Sequence, residues 1–177
     1  MTKAYIAGPF FNPTQMDHYK STVSTVEKAG VDTFSVVRDG VVCKPNASLT
    51  VQEESFKKNV DEIRESQFLV AILDYLDAPL FAVKSDRDLM KVFVPDNGTV
   101  FEMGFAYSEG KPIIGFATNA KMLNLMLARS TYVVVNTLED LEKECRALSA
   151  ILEENDIEKL VAYVAGKKAE SWRGEIV

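Results

Sequence analysis

Glu102 carries the sharpest chemical signature in this sequence. It stands in Thr99-Val100-Phe101-Glu102-Met103-Gly104-Phe105-Ala106-Tyr107, a run otherwise almost free of polar groups. A helix apolar on every side is a buried helix, and a carboxylate inside one is costly unless it is partnered or used. Near a helix N-terminus the dipole favours the ionised form; a solvated first-turn glutamate with no further role would suit the same dipole. Asp96 stands six residues earlier, at the expected N-cap, where Asp is also favoured for purely structural reasons. At ~1.5 Å of rise per residue the two carboxylates lie within roughly 9 Å, near enough to flank one small ligand. That layout suits glycosyl transfer, in which one carboxylate attacks an anomeric carbon and another group handles the leaving-group proton.

Other chemistries have few residues to draw on. The chain has one histidine, His18, and two cysteines, Cys43 and Cys145, so a zinc site of His and Cys ligands is not expected, nor is a disulfide framework. The 177 residues carry a net charge of −6 with no basic block, which speaks against a nucleic-acid partner. With 47% hydrophobic and 26% charged residues the composition is that of a soluble globular protein. No apolar run is long enough to span a bilayer and the N-terminus lacks a signal-peptide pattern, so a cytoplasmic protein without membrane association is expected.

The elements that must position these residues alternate along the chain. Short apolar runs at Ala4 to Ala7, Val31 to Val37, Phe68 to Leu73, Pro112 to Phe116 and Tyr132 to Val135 read as strands. Helical patterns lie between and after them: Asn12-Pro13 to Gly30, Val51 to Ser66 with Phe56, Val60 and Ile63 on one face, Asp96 to Gly110, one opening at Thr137, and Ile157 to Gly166. The expected fold is α/β, a single domain over residues 1–177 with a doubly wound, flavodoxin- or Rossmann-like sheet of five parallel strands and helices on both faces. Residues 137–177 form its C-terminal helices and tail. The Tyr75 to Pro95 segment is a long insertion without a clear period, read as a lid or binding loop that packs through Leu80, Phe81, Val92, Phe93 and Val94. Ligands of such sheets bind beyond the carboxyl ends of the strands. That rule selects Gly8-Pro9-Phe10-Phe11-Asn12, Asp74 with the Asp96-Asn97-Gly98-Thr99 turn, and Ala117 to Asn124.

Together, Tyr5-Ile6-Ala7-Gly8-Pro9-Phe10-Phe11, Asp96-Asn97-Gly98-Thr99-Val100-Phe101-Glu102-Met103-Gly104-Phe105-Ala106 and Gly110-Lys111-Pro112 resemble the nucleoside 2-deoxyribosyltransferase family. Leu123-Asn124-Leu125-Met126 is similar to the family segment that reaches into a neighbouring subunit's site, and the tail ending at Val177 looks like its C-terminal end, which approaches the active site. The resemblance implies a retaining double displacement between 2′-deoxynucleosides and free nucleobases, with Glu102 as nucleophile and with no metal or organic cofactor expected. It implies that Asp96 binds the sugar or helps protonate the leaving base, and that Tyr5 orients Glu102. Gly8, Pro9, Phe10, Phe11, Asp74 and Gly98 would line the substrate site, with Asn124 and Met126 arriving from a partner chain in at least a dimer. Arg38, after the second strand, falls where the family reads the base.

The sequence departs from the family pattern in two places. Many members carry Asp where this chain has Asn59, in Phe56-Lys57-Lys58-Asn59. An amide cannot donate a proton as an acid does, which leaves Asp96, Asp74 or water to protonate the base. The Tyr75 to Pro95 insertion is the second departure. Two rival functions follow from the same fold: an N-glycosidase acting on 2′-deoxynucleosides or their 5′-monophosphates, and a non-catalytic nucleotide-binding module. No Ser cluster near Gly8 or Gly98 suits a phosphate pocket, and a binding module has no need of Glu102 beside Asp96.

Overall fold

The computed structural model describes the chain except residues 42, 75–81, 86–87, 92–94, 119–121, 171–174 and 177; of 82–85, 88–91, 122, 169–170 and 175–176 it describes the backbone alone. The chain runs β1 (Lys3–Ala7), α1 (Pro13–Lys28), β2 (Asp32–Ser35), α2 (Val36–Asp39), α3 (Leu49–Glu65) and β3 (Phe68–Ile72). There follow β4 (Ala82–Ser85), β5 (Asp88–Lys91), α4 (Asn97–Ser108), β6 (Ile113–Phe116), β7 (Met122–Leu123) and α5 (Leu125–Ser130). The last elements are β8 (Val133–Val135), α6 (Leu138–Glu153), α7 (Ile157–Glu170) and β9 (Glu175–Ile176).

Five strands form one parallel sheet in the order β2-β1-β3-β6-β8. Because strand side chains alternate between faces, Ile6, Val70, Ile72, Ile114 and Phe116 pack under α1, α6 and α7. Tyr5, Ala7, Leu69, Ala71 and Ile113 face α3, α4 and α5 through Ile63, Met103, Ala106 and Leu127. The order of strands reverses between β1 and β3, so the crevice that doubly wound sheets use for ligands opens beyond Ala7 and Ile72. The expected α/β fold is the one observed.

Several expected elements differ in detail. The strand read as Val31 to Val37 ends at Ser35, and Val36–Asp39 form a short helix; the Asp39 carboxylate accepts the Ser35 N–H at 3.0 Å and turns the chain out of the sheet. The Tyr75 to Pro95 insertion is not structureless, since Ala82–Ser85 pairs antiparallel with Asp88–Lys91. Leu80, Phe81, Val92, Phe93 and Val94, expected to pack, lie outside the described residues. α4 was expected to be buried all round, yet only its Thr99, Met103 and Ala106 are buried, while Phe101 and Tyr107 are more than half exposed, at 52% and 57%. The two-residue strands β7 and β9 pair in parallel, with Leu123 opposite Ile176. Glu175–Ile176 therefore runs beside Met122–Leu123, the two residues before Asn124.

Candidate active site

Tyr5 is placed by its position in β1, where every second side chain turns toward α4. Its ring is fully buried and stacks on Phe34, its register neighbour in β2, at 5.4 Å and 21° between planes. With the ring so fixed, the hydroxyl donates to Glu102 Oε1 at 2.5 Å, the short end of the range for an O–H donor on a carboxylate. Among the described residues Glu102 forms no other hydrogen bond. Burial pushes its carboxyl up to about 7; the Tyr5 hydrogen bond opposes that rise and the nearby Asp96 charge adds to it. Burial and the charge of Glu102 together push the Tyr5 phenol well above its ordinary value, so it stays a donor.

Asp96 is the N-cap of α4: its Oδ2 accepts the Thr99 N–H at 2.9 Å and the Thr99 hydroxyl at 3.2 Å. A Cβ on Gly98 would come within 3.0 Å of that oxygen, so glycine leaves the cap room to form. The second carboxylate thus stands at the mouth of the helix whose next turn presents Glu102. A half-buried carboxylate held by a phenol, with another near enough to raise its affinity for protons, is an arrangement for attack on an electrophilic carbon.

The Gly8 to Asn12 segment is shaped from below and from α1. A Cβ on Gly8 would meet Ile72 at 2.8 Å, so the residue is glycine because β3 lies so near. Pro9 is buried. Phe10 packs edge-on against Tyr19 at 5.7 Å and belongs to the core, whereas Phe11, 65% exposed, is free to meet a ligand. Asn12 accepts the Gln15 N–H at 2.8 Å, and Gln15 Oε1 accepts the Phe11 N–H at 2.8 Å. Gln15 was not singled out in the sequence; its helix position, three residues beyond a capping Asn, was the available signal.

Other residues read from the sequence divide. Asp74 is buried on the opposite, α1-facing side, where Oδ2 accepts the Thr118 N–H and hydroxyl at 2.6 and 2.7 Å. Arg38, expected to read the base, folds back: it donates to Glu27 at 2.6 Å, to the Thr33 carbonyl at 2.6 Å and to both Asp39 oxygens at 2.9 Å. Its donors are occupied because the short helix after β2 points the guanidinium at α1. Asn59 lies on α3 between Phe56, whose ring meets Phe101 at 5.8 Å, and the core residue Ile63. Among the described residues its buried Oδ1 has no hydrogen-bond partner. Asn124 caps α5, accepting the Met126 N–H at 2.8 Å, and Met126 is 75% exposed. Val177 lies outside the described residues. Among the described residues no three His, Cys, Asp or Glu side chains are grouped to hold a metal, and no helix is long and apolar enough to cross a membrane.

The family model for nucleoside 2-deoxyribosyltransferase matches residues 4–138. Among solved structures, a 2-deoxyribosyltransferase of Bacillus psychrosaccharolyticus has a TM-score of 0.65 at 23% identity, over 80% of this chain and 90% of the other. The 2-deoxyribosyltransferase of Leishmania mexicana has a TM-score of 0.52 at 23% identity, over 80% and 94%. A CMP N-glycosidase of Clostridium botulinum has a TM-score of 0.50 at 13% identity, over 81% and 97%. At these identities the structural likeness concerns the fold. No curated protein sequence matches the chain.

Proposed function

This chain belongs to the nucleoside 2-deoxyribosyltransferase family, and from that premise we propose that it moves 2-deoxyribose between nucleobases with Glu102 as the nucleophile. The Glu102 carboxylate attacks C1′ of a 2′-deoxynucleoside, and the C1′–N bond breaks with its electron pair leaving on the base nitrogen, which takes up a proton. A nitrogen of a second base then attacks C1′ of the glycosyl ester, the C1′–O bond returns its electrons to Glu102, and the incoming base loses a proton. Two inversions give net retention.

The observation that carries this reading is the 2.5 Å hydrogen bond from the buried Tyr5 to Glu102. It holds one carboxylate oxygen and stabilises the carboxylate that departs in the second step. Asp96 is read as a sugar or proton-handling group. Phe11 is read as a surface on which a base stacks. Asn124 and Met126 are read as contributions to a neighbouring subunit's site; the exposed Met126, together with the uncovered Phe101 and Tyr107 of α4, supports an assembly of at least two chains.

The test is to incubate the protein with deoxyinosine and adenine. Deoxyadenosine of retained configuration is the expected product, and a slow 2-fluoro substrate should leave a sugar adduct on the peptide containing Glu102. Free deoxyribose whatever base is added, or a clear preference for 5′-monophosphates, would replace the transferase reading with the N-glycosidase one.

A further inference from the structure

Apart from the crevice at the carboxyl ends of the strands, the structure holds a hollow of about 370 Å³ at the amino ends of β6 and β8. Its floor is made where the chain enters the sheet. Gly110, in the left-handed region at φ 70°, ends α4; Pro112 bars the helix from continuing, and Ile113 opens β6. Ile113 and Tyr132 are both buried. The Tyr132 hydroxyl donates to Glu144 at 2.9 Å, so this residue offers the hollow its ring alone. The opposite wall is α7. Val161, Ala165 and Lys168 stand at i, i+4 and i+7 and share one face of that helix. Ala165, in the middle of the stripe, is small and leaves the hollow open.

A concave, mainly apolar hollow of this size with a few polar groups is suited to a small organic ligand. Its charge is one-sided. Lys111 and Lys168 stand at it, and no acidic side chain is among the described residues that line it, in a chain whose net charge is −6. Lys168 holds its ammonium 6.0 Å from the centroid of the Tyr107 ring. That ring is 57% exposed, so ring and cation belong to the open rim. Lys111 donates to the Arg64 carbonyl at 2.7 Å, and an ammonium has two further N–H groups for other acceptors. Glu102 and Asp96 are not among the lining residues.

We infer that this hollow is a second binding site, for an organic monoanion with an apolar, ring-bearing body. The body lies on Ile113, the Tyr132 ring and the α7 stripe, and the anionic head meets Lys111 and Lys168 at the rim. The site is separate from the crevice at Glu102, and its ligand leaves the nucleoside's place open. The inference stands apart from the transferase reading and does not depend on it.

Two dyes of nearly the same body test it on the full chain: 8-anilinonaphthalene-1-sulfonate carries the anion and N-phenyl-1-naphthylamine lacks it. Fluorescence titration should show the sulfonate binding saturably, one per chain, and more weakly as salt is raised. Lys168→Gln should weaken the sulfonate roughly fivefold, the upper end for an exposed ion pair, and leave the neutral dye unchanged. Ala165→Phe fills the hollow and should abolish binding of both dyes with the melting temperature unchanged. Val161→Trp, at a position 61% exposed, is a second filling variant should the first fail to fold. Sulfonate binding that survives filling overturns the site, and equal response of the two dyes to Lys168→Gln overturns the anion. Displacement of the dye by deoxyinosine would put it in the Glu102 crevice instead. Loss of dye binding as the protein is concentrated would give the hollow to a second copy of the chain. Either result overturns the inference.

Discussion

At the scale of the residue, the structure turns on how one carboxylate is kept half-buried and still usable. Glu102 is raised to about 7 from an ordinary 4.5 chiefly by burial. A nucleophile must be ionised, so kcat/KM should rise with pH through about 7 and level off above it, a limb that a pH-rate profile reads directly. The same shift bears on stability. Between about 4.5 and 7 the folded chain holds a proton that the unfolded chain has released, so stability falls as pH rises across that window. Glu102→Gln removes the charge and should be more stable than wild type at pH ~8, by up to about 3 kcal/mol from the linkage relation, while losing base exchange; denaturant unfolding at two pH values measures it. Tyr5→Phe keeps the ring on Phe34 and deletes the donor. Its pH-rate limb should move upward, because the Tyr5 bond is what holds Glu102 down, and its kcat/KM should fall roughly tenfold or more.

At the scale of the element, α4 does two separable jobs through Asp96. As N-cap it holds the Thr99 N–H, a role Asn performs about equally well; as a charge it raises Glu102. Asp96→Asn should accordingly melt within about 2 °C of wild type, since capping is kept, yet lose activity and show its acid limb at lower pH. A melting curve within that range beside unchanged kinetics would leave Asp96 as a cap alone. Gly8 marks another element-level constraint, the near contact between the β1 exit and Ile72 of β3. Gly8→Ala should destabilise the chain by about 1–3 kcal/mol through overpacking, and Ile72→Val should recover part of it by removing the methyl nearest the new Cβ; chemical denaturation of the single and double variants checks this.

At the scale of the whole molecule, the start of α5 is exposed and the pairing of β7 with β9 places Glu175–Ile176 beside the two residues that precede Asn124. Mixing inactive Glu102→Ala chains with inactive Asn124→Ala chains should restore part of the activity once subunits exchange, because a mixed assembly contains sites with both residues intact. Exchange without recovery would confine the site to one chain. Deleting the last four residues should lower kcat/KM far more than it lowers the melting temperature, since only the two-residue β9 is lost from the described structure; equal activity would make the tail a frayed end.

The sequence by itself determined the order of the main strands and helices and the two carboxylates, because each is a local fact: alternating apolar runs and helical patterns are written in neighbouring residues, and so is a lone glutamate in an apolar run. Gly8 and Asp74 were also legible as residues beyond strand ends, where a parallel sheet must bind its ligands, whereas Tyr5 was legible only through the family resemblance. What each does was decided by tertiary contact. Nothing near Asp74 in sequence says that Thr118, 44 residues away, takes its oxygen. Nothing near Arg38 says that α1 and β2 would bring Glu27 and Thr33 to its guanidinium. The β4–β5 hairpin escaped notice because its strands are four residues each and their Ser85-Asp86-Arg87-Asp88 connection lacks the Asn-Gly or Gly turn that announces a hairpin. The outer face of α4 was misread for a related reason: an all-apolar helix announces that it will be covered, but not whether by its own chain. Periodicity fixes which way a side chain turns; only the folded sheet and its helices decide what it meets there.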